Sequence, residues 1–266
     1  MKYIRITLVA LFALLLISNP LSAQDNRTLD TKVADLLVQV PANDQQKLNN
    51  QMHSMLSLEE AGLQMVLDLV IPPGTGDDTK PRVAIESLSR YLSQPQMEKE
   101  SLQWESMILK EIDKRENPFV KSFFISQLNY FGSDAALESL SHYLTDPKLQ
   151  DPTIRAIRDI NPDAVADLFV SKLNQTEGRA QIALVNAIRK TGNSSHAAAV
   201  ASLAGSGSTE LQRSVLACLA KLGNPDSYGV LNSAAKKAGY MPEPTSATGS
   251  LIAYAETVSE QNNHDL

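Results

Sequence analysis

From residue 117 onward the chain repeats its own apolar pattern, and no other feature limits the possible folds as strongly. Four turn points stand at Phe131-Gly132, Ile160-Asn161, Thr191-Gly192 and Leu222-Gly223, spaced by 29, 31 and 31 residues. Gly and Asn accept the left-handed backbone just past a helix end, so each pair reads as a helix terminator. Four residues before each turn residue stand Leu128, Ile157, Ile188 and Leu219. Eight residues after it stand Leu140, Phe169, Val200 and Leu231, and twelve after it Leu144, Leu173, Ala204 and Ala235. Every column is apolar. Leu211, Val215, Cys218 and Leu222 fall on one helical stripe. Asn117-Pro118, Asp151-Pro152, Asn161-Pro162 and Asn224-Pro225 each set a capping side chain before a proline, which the first helical position tolerates. A unit is therefore helix, tight turn, helix and short link. Its single apolar stripe is buried only when units stack.

The rest of the chain reads as helical too, since apolar spacings of three and four dominate and no stretch alternates. Helices are expected over 28–40 and 42–56, and Ser57 with Glu60 forms an S-x-x-E capping box that opens a helix running to Val70. Two prolines and two glycines make 71–78 a loop, after which Asp77 or Asp78 caps a helix over 79–93. A charged helix follows over 96–115. The predicted fold class is all-α, a right-handed α-solenoid of stacked antiparallel helix pairs. Its parts are a helical segment over 24–57, open to partial disorder, helix pairs over 58–116, repeats over 117–240, and a final segment over 241–266. That last segment holds a helix over 250–259 with Leu251, Ala255 and Val258 on one side, either a cap or the start of a further repeat.

The first residues carry a different message. Lys2 and Arg5 precede a twelve-residue apolar run over 6–17, and Ser18, Asn19 and Pro20 break it before Leu21-Ser22-Ala23. This is the layout of a secretory signal peptide over 1–23, cleaved after Ala23. The run is too short to span a bilayer as a helix. A periplasmic or extracellular location follows, with no membrane association after cleavage. The formal charge is −6, or −8 once residues 1–23 are removed, and the acidic pI near 5.3 speaks against a nucleic-acid partner. The lone Cys218 excludes an internal disulfide, so packing must carry stability.

The repeat pattern resembles HEAT-like α-solenoid repeats over 117–240, and more loosely over 58–116. The run Pro72-Pro73-Gly74-Thr75-Gly76-Asp77-Asp78-Thr79-Lys80, followed by Arg82-Val83-Ala84, is similar to a segment of secreted bacterial HEAT-repeat proteins. In some of those the repeats precede a 3-keto-disaccharide hydrolase-like domain, and no such β-rich domain follows here. The resemblance implies an exported, non-catalytic binding or scaffold module for a protein partner. The alternative it leaves is the repeat portion or accessory subunit of a glycan-processing enzyme. In the HEAT arrangement the second helix of each pair lines the inner face, here about 134–144, 163–173, 195–204 and 226–238. Glu138, His142, Lys172, Lys236 and Lys237 are the candidate partner-binding residues on it.

No catalytic, metal or cofactor constellation emerges. Cys218 falls in a column with Gln127, Ala156 and Ala187, which reads as a buried small side chain. His53, His142, His196 and His264 have no ligand spacing. Asp77 and Asp78 are distinctive, yet their loop lacks the G-x-x-x-x-G-K-[ST] pattern, and capping accounts for one of them. The charged residues from Glu98 to Arg115 read as a solvated helix face with i,i+4 pairs, and Trp104 among them as docked on a neighbouring helix.

Overall fold

The computed structural model describes residues 27–264. The signal segment over 1–23 lies outside the described residues. Fourteen α-helices and four short 3-10 turns, with no strand, make up the described residues. The helices are α1 Leu29–Val38, α2 Gln45–Leu56, α3 Glu59–Asp68, α4 Thr79–Leu92, α5 Glu98–Lys114, α6 Pro118–Gln127, α7 Asp134–Leu140, α8 Gln150–Ile157, α9 Pro162–Lys172, α10 Gly178–Thr191, α11 Ala197–Ala201, α12 Thr209–Leu222, α13 Ser227–Lys237 and α14 Ala247–His264.

Packing follows the chain in two files. One runs α4, α6, α8, α10, α12, α14, each helix touching the next in the file. The other runs α5, α7 with its 3-10 extension, α9, α11 with its 3-10 lead-in, and α13. The residues α1 to α3 form a cluster that closes on α4. The three apolar columns are the seam between the files. Leu128, Ile157, Ile188 and Leu219 are buried, as are Leu140, Phe169, Val200 and Leu231. Leu144, Leu173 and Ala235 are buried as well, while Ala204 is half-buried. Each large apolar side chain removed from water contributes roughly 1.5–3 kcal/mol.

The turns work differently from the sequence expectation. Only Gly223 adopts the left-handed region, at φ 64°. Gly192 has φ −76° and Asn161 φ −145°. Gly132 and Gly192 are glycine because the backbone passes too close for a side chain. A Cβ would stand 2.8 Å from the Leu128 carbonyl oxygen at the first and 2.7 Å from that of Ile188 at the second. Asn161 instead caps the following helix, its Oδ1 accepting from the Ala164 N–H.

The proline pairs divide likewise. Asn117 and Asn161 are N-caps with proline at the helix start. Asp151 is not a cap, because α8 begins one residue earlier at Gln150; its exposed carboxylate pairs with Arg155 at 2.7 Å. Asn224 holds the turn before α13 by accepting from the Asp226 N–H. The Ser57–Glu60 box does not form. Helices α2 and α3 abut so closely that the Ser57 hydroxyl donates to the Ser54 carbonyl, and Leu58 stands at the α3 start without a side-chain cap. At the far end α14 is longer than expected. Its buried residues include Ala247, Ser250 and Tyr254, with Leu251 and Val258 partly buried and Ala255 exposed.

Candidate functional site

The second-helix file presents the residues singled out for partner binding. Glu138 on α7 and His142 on its 3-10 extension are exposed, Lys172 at the end of α9 is half-exposed, and Lys236 and Lys237 end α13 exposed. Among the described residues no hydrogen bond or ion pair engages the side chains of Glu138, Lys172, Lys236 or Lys237. The His142 ring lies against Tyr143, with centroids 3.8 Å apart. These residues come from three different units, and no contact among them draws them into one cluster.

One of them borders a cleft. Lys237, with Leu216, Val230, Ala234 and Ala238, lines a cavity of about 840 Å³ between α11, α12 and α13. Gln212, Glu243 and Thr245 on its rim are engaged in holding loops. Gln212 accepts from the Gly205 N–H at 2.7 Å and donates to the Leu203 carbonyl. Glu243 accepts from the Thr245 hydroxyl and from the Ala247 N–H, both at 2.7 Å. The Thr245 hydroxyl, followed by those backbone donors, holds the Glu243 carboxyl below its usual range. Lys237 is thus the charged side chain of this mixed polar and apolar cleft that no hydrogen bond or ion pair engages among the described residues.

The Asp77–Asp78 loop is an internal clasp. Asp77 accepts from the Thr79 N–H at 3.0 Å, the bond expected of a helix-start aspartate. Asp78 faces inward. Its Oδ2 accepts from the Ile71 N–H at 2.9 Å and from the Arg82 guanidinium at 2.8 Å, while Arg82 also donates to the Ile71 carbonyl. The ends of the Pro/Gly loop are thereby tied to the first turn of α4. Burial raises the Asp78 pKa, but the Arg82 hydrogen bond and then the Ile71 N–H outweigh it and hold the carboxyl below the usual range.

Cys218 is fully buried, and burial pushes its thiol up to about 12, which leaves no thiolate for nucleophilic work near neutrality. Trp104 is docked as expected, donating from Nε1 to Ser89 Oγ at 3.0 Å. The charge run is not uniformly solvated. Glu105 and Glu111 are buried. Glu105 accepts from the Ser133 N–H and hydroxyl at 2.8 and 2.9 Å, closing the start of α7. Glu111 accepts from Arg115 and Gln64, both at 2.7 Å. Arg115 also donates to the Leu67 and Val70 carbonyls and so caps the C-terminus of α3. A buried histidine was equally hidden in the sequence. His196 accepts at Nδ1 from the Asn193 N–H, which leaves the proton on Nε2, 3.1 Å from Asp167 Oδ1. Each of these groups is satisfied and structural.

Among the described residues no group of three or more His, Cys, Asp or Glu side chains is placed to hold a metal ion. No helix among them is long and apolar enough to cross a membrane. Compared with protein-family models, with curated proteins and with solved structures, the chain finds no significant match.

Proposed function

We propose that the chain is a HEAT-like, right-handed α-solenoid that serves as an exported, non-catalytic binding or scaffold module for a protein partner. The observation that carries this reading is the packing, from α4 onward, of each helix with its 3-10 segment on the next helix but one, with the repeated apolar columns buried between two files. Such a plan builds a long surface from elements that contact only their neighbours, and surfaces of this kind suit extended protein partners. The unengaged side chains of Glu138, Lys172, Lys236 and Lys237, with His142, supply a mixed-charge rim on the second-helix file. Lys237 also borders the mixed polar and apolar cleft beside it. Mixed charge favours recognition of an oppositely patterned surface and steers encounter.

Export to the periplasm or extracellular space belongs to the same reading, on the strength of the basic and apolar segments over 1–17. N-terminal sequencing of the secreted chain is expected to start at Gln24. The binding test is affinity capture of extracytoplasmic proteins on the purified chain, with a variant carrying Lys172→Glu, Lys236→Glu and Lys237→Glu. The variant is expected to lose the captured partner. Retention of every captured protein by that variant would exclude the second-helix face as the binding surface.

A further inference from the structure

A second trough lies on the other file, between α10, α12 and α14. Its volume is about 560 Å³. Arg189, Lys190 and Lys221 stand on it, and Ser246, Ser250 and Thr257 line the α14 side. The floor is made of small residues, Ala217, Ala220, Gly249 and Ala253.

The repeat itself shows that the cations are unusual. Arg158 and Arg189 occupy the same place, three residues before successive turn residues. Arg158 is neutralised by its neighbour Asp159 at 2.8 Å. One unit later the neighbour is Lys190, and one unit further Lys221 takes that place. The acid has been replaced by a base twice. Among the described residues, none of Arg189, Lys190 and Lys221 donates a side-chain hydrogen bond or lies within ion-pair distance of an acid, and Lys190 acts only from further off on Asp159. Arg189 is half-exposed and brings five N–H donors to the trough.

A separate observation points the same way. Ser250 is more than nine-tenths buried, lines the trough, and its hydroxyl has no partner among the described residues. The charge distribution fits as well. Over residues 27–147 eleven lysines and arginines face eighteen acids, whereas over 148–264 eleven face ten, Glu243, Glu256 and Glu260 at or on α14 included. The half that holds the groove is thus close to neutral, beside a strongly acidic first half.

We propose that the trough binds an acidic segment of a partner protein, with a carboxylate forked by Arg189, flanked by Lys190 and Lys221, and accepting from the Ser250 hydroxyl. A guanidinium presents paired N–H donors that match a carboxylate. At roughly 30 Å³ per water molecule, the trough holds far more than one small oxyanion. Its small-residue floor leaves room for the apolar atoms of a peptide. The inference rests on the binding-module reading but moves one contact surface to the first-helix file.

The test is a fluorescence-anisotropy titration of the purified protein with a dye-labelled hexapeptide alternating glutamate and leucine, beside its glutamine counterpart and inorganic phosphate as a competitor. Saturable binding of the glutamate peptide is expected, at least tenfold tighter than the glutamine peptide. R189Q and K221Q are each expected to weaken it at least fivefold, and S250A about threefold, with thermal midpoints unchanged. The triple lysine variant of the second-helix face is expected to bind the peptide as the unaltered protein does. Equal affinity for both peptides, or undiminished binding by R189Q and K221Q, overturns the proposal. So does displacement by phosphate at lower concentration than by free peptide, which would assign the groove to a phosphate ligand. Absence of peptide binding, with partner capture intact, removes this site and leaves the module reading standing.

Discussion

The two halves of the molecule hold their helices together by different means. Up to about residue 147, long polar side chains bind one element to another. Arg115 reaches from the end of α5 to two carbonyls of α3, Lys114 pairs with Asp68 at 2.7 Å, and Arg82 closes the loop before α4. Cations of α4 also lie over rings of α6 and the turn after it, Arg82 over Phe123 at 4.6 Å and Arg90 over Tyr130 at 4.9 Å. Beyond that point the seam is mostly apolar columns, with few polar links, such as Gln150 to the Ala180 carbonyl and Asn224 to that of Ser194. The lesson concerns regularity. Where turns recur at fixed spacing, identical positions meet and small or branched apolar residues suffice. Where the connections are irregular, as around the Pro/Gly loop, particular charged groups must satisfy the exposed helix ends.

Substitutions can break or sharpen that contrast. The largest effect is expected for Arg115→Ala. It leaves the buried Glu111 carboxylate with only Gln64 and Lys114 and uncaps α3, and should lower the unfolding free energy by about 3–5 kcal/mol in denaturant titrations. A loss below about 1 kcal/mol would show that the polar clasp of the first half is dispensable. Next comes Asp78→Asn, expected to cost roughly 1.5–3 kcal/mol, since charge-assisted bonds from Arg82 and the Ile71 N–H are weakened. Its pH signature has a definite sign. The folded carboxyl titrates below its unfolded value, so its contribution is whole above about pH 4 and is lost as pH falls through the folded value. The thermal midpoint of the unaltered protein should therefore drop more steeply between pH 5 and 3 than that of the variant. Within the repeats, Ile188→Val should cost only about 0.5–1.5 kcal/mol, because a single methylene is removed from a fully buried column. The smallest effect is a silent one. Cys218 should resist alkylation at pH 8 in the folded protein and react on unfolding, as its burial and raised pKa dictate. Prompt labelling of the folded state would contradict the packed seam.

Much of the seam was readable because apolar periodicity is a local signal. Leu128, Ile157, Ile188 and Leu219 announce themselves by residue type and spacing alone, and Cys218 is explained by its alanine column. The buried acids were unreadable for the opposite reason. Glu105 meets Ser133 and Glu111 meets Gln64 across 28 and 47 residues, and nothing in the neighbouring sequence separates them from their exposed neighbours. Asp151-Pro152 misled because proline is also tolerated within the first turn, so the pair does not fix where a helix starts. Gly132 and Gly192 were correctly placed at turns for the wrong reason, since close approach to a carbonyl leaves the same sequence mark as a left-handed φ. At the candidate surface, residue positions on the second helices were legible, while the trough on the first helices was not. Recognising it required seeing Arg189 without the acid that Arg158 keeps.

The wiring of helices from α4 onward, each touching mainly the next helix and the one after it, also sets how the chain answers to force. Under tension, the described residues offer no strand pairing between distant parts of the chain that must rupture first. Tension would peel off one helix pair after another, each releasing roughly 30 residues, or about 100 Å of extended chain. Single-molecule extension should accordingly trace a row of evenly spaced small teeth, each the length of one helix pair.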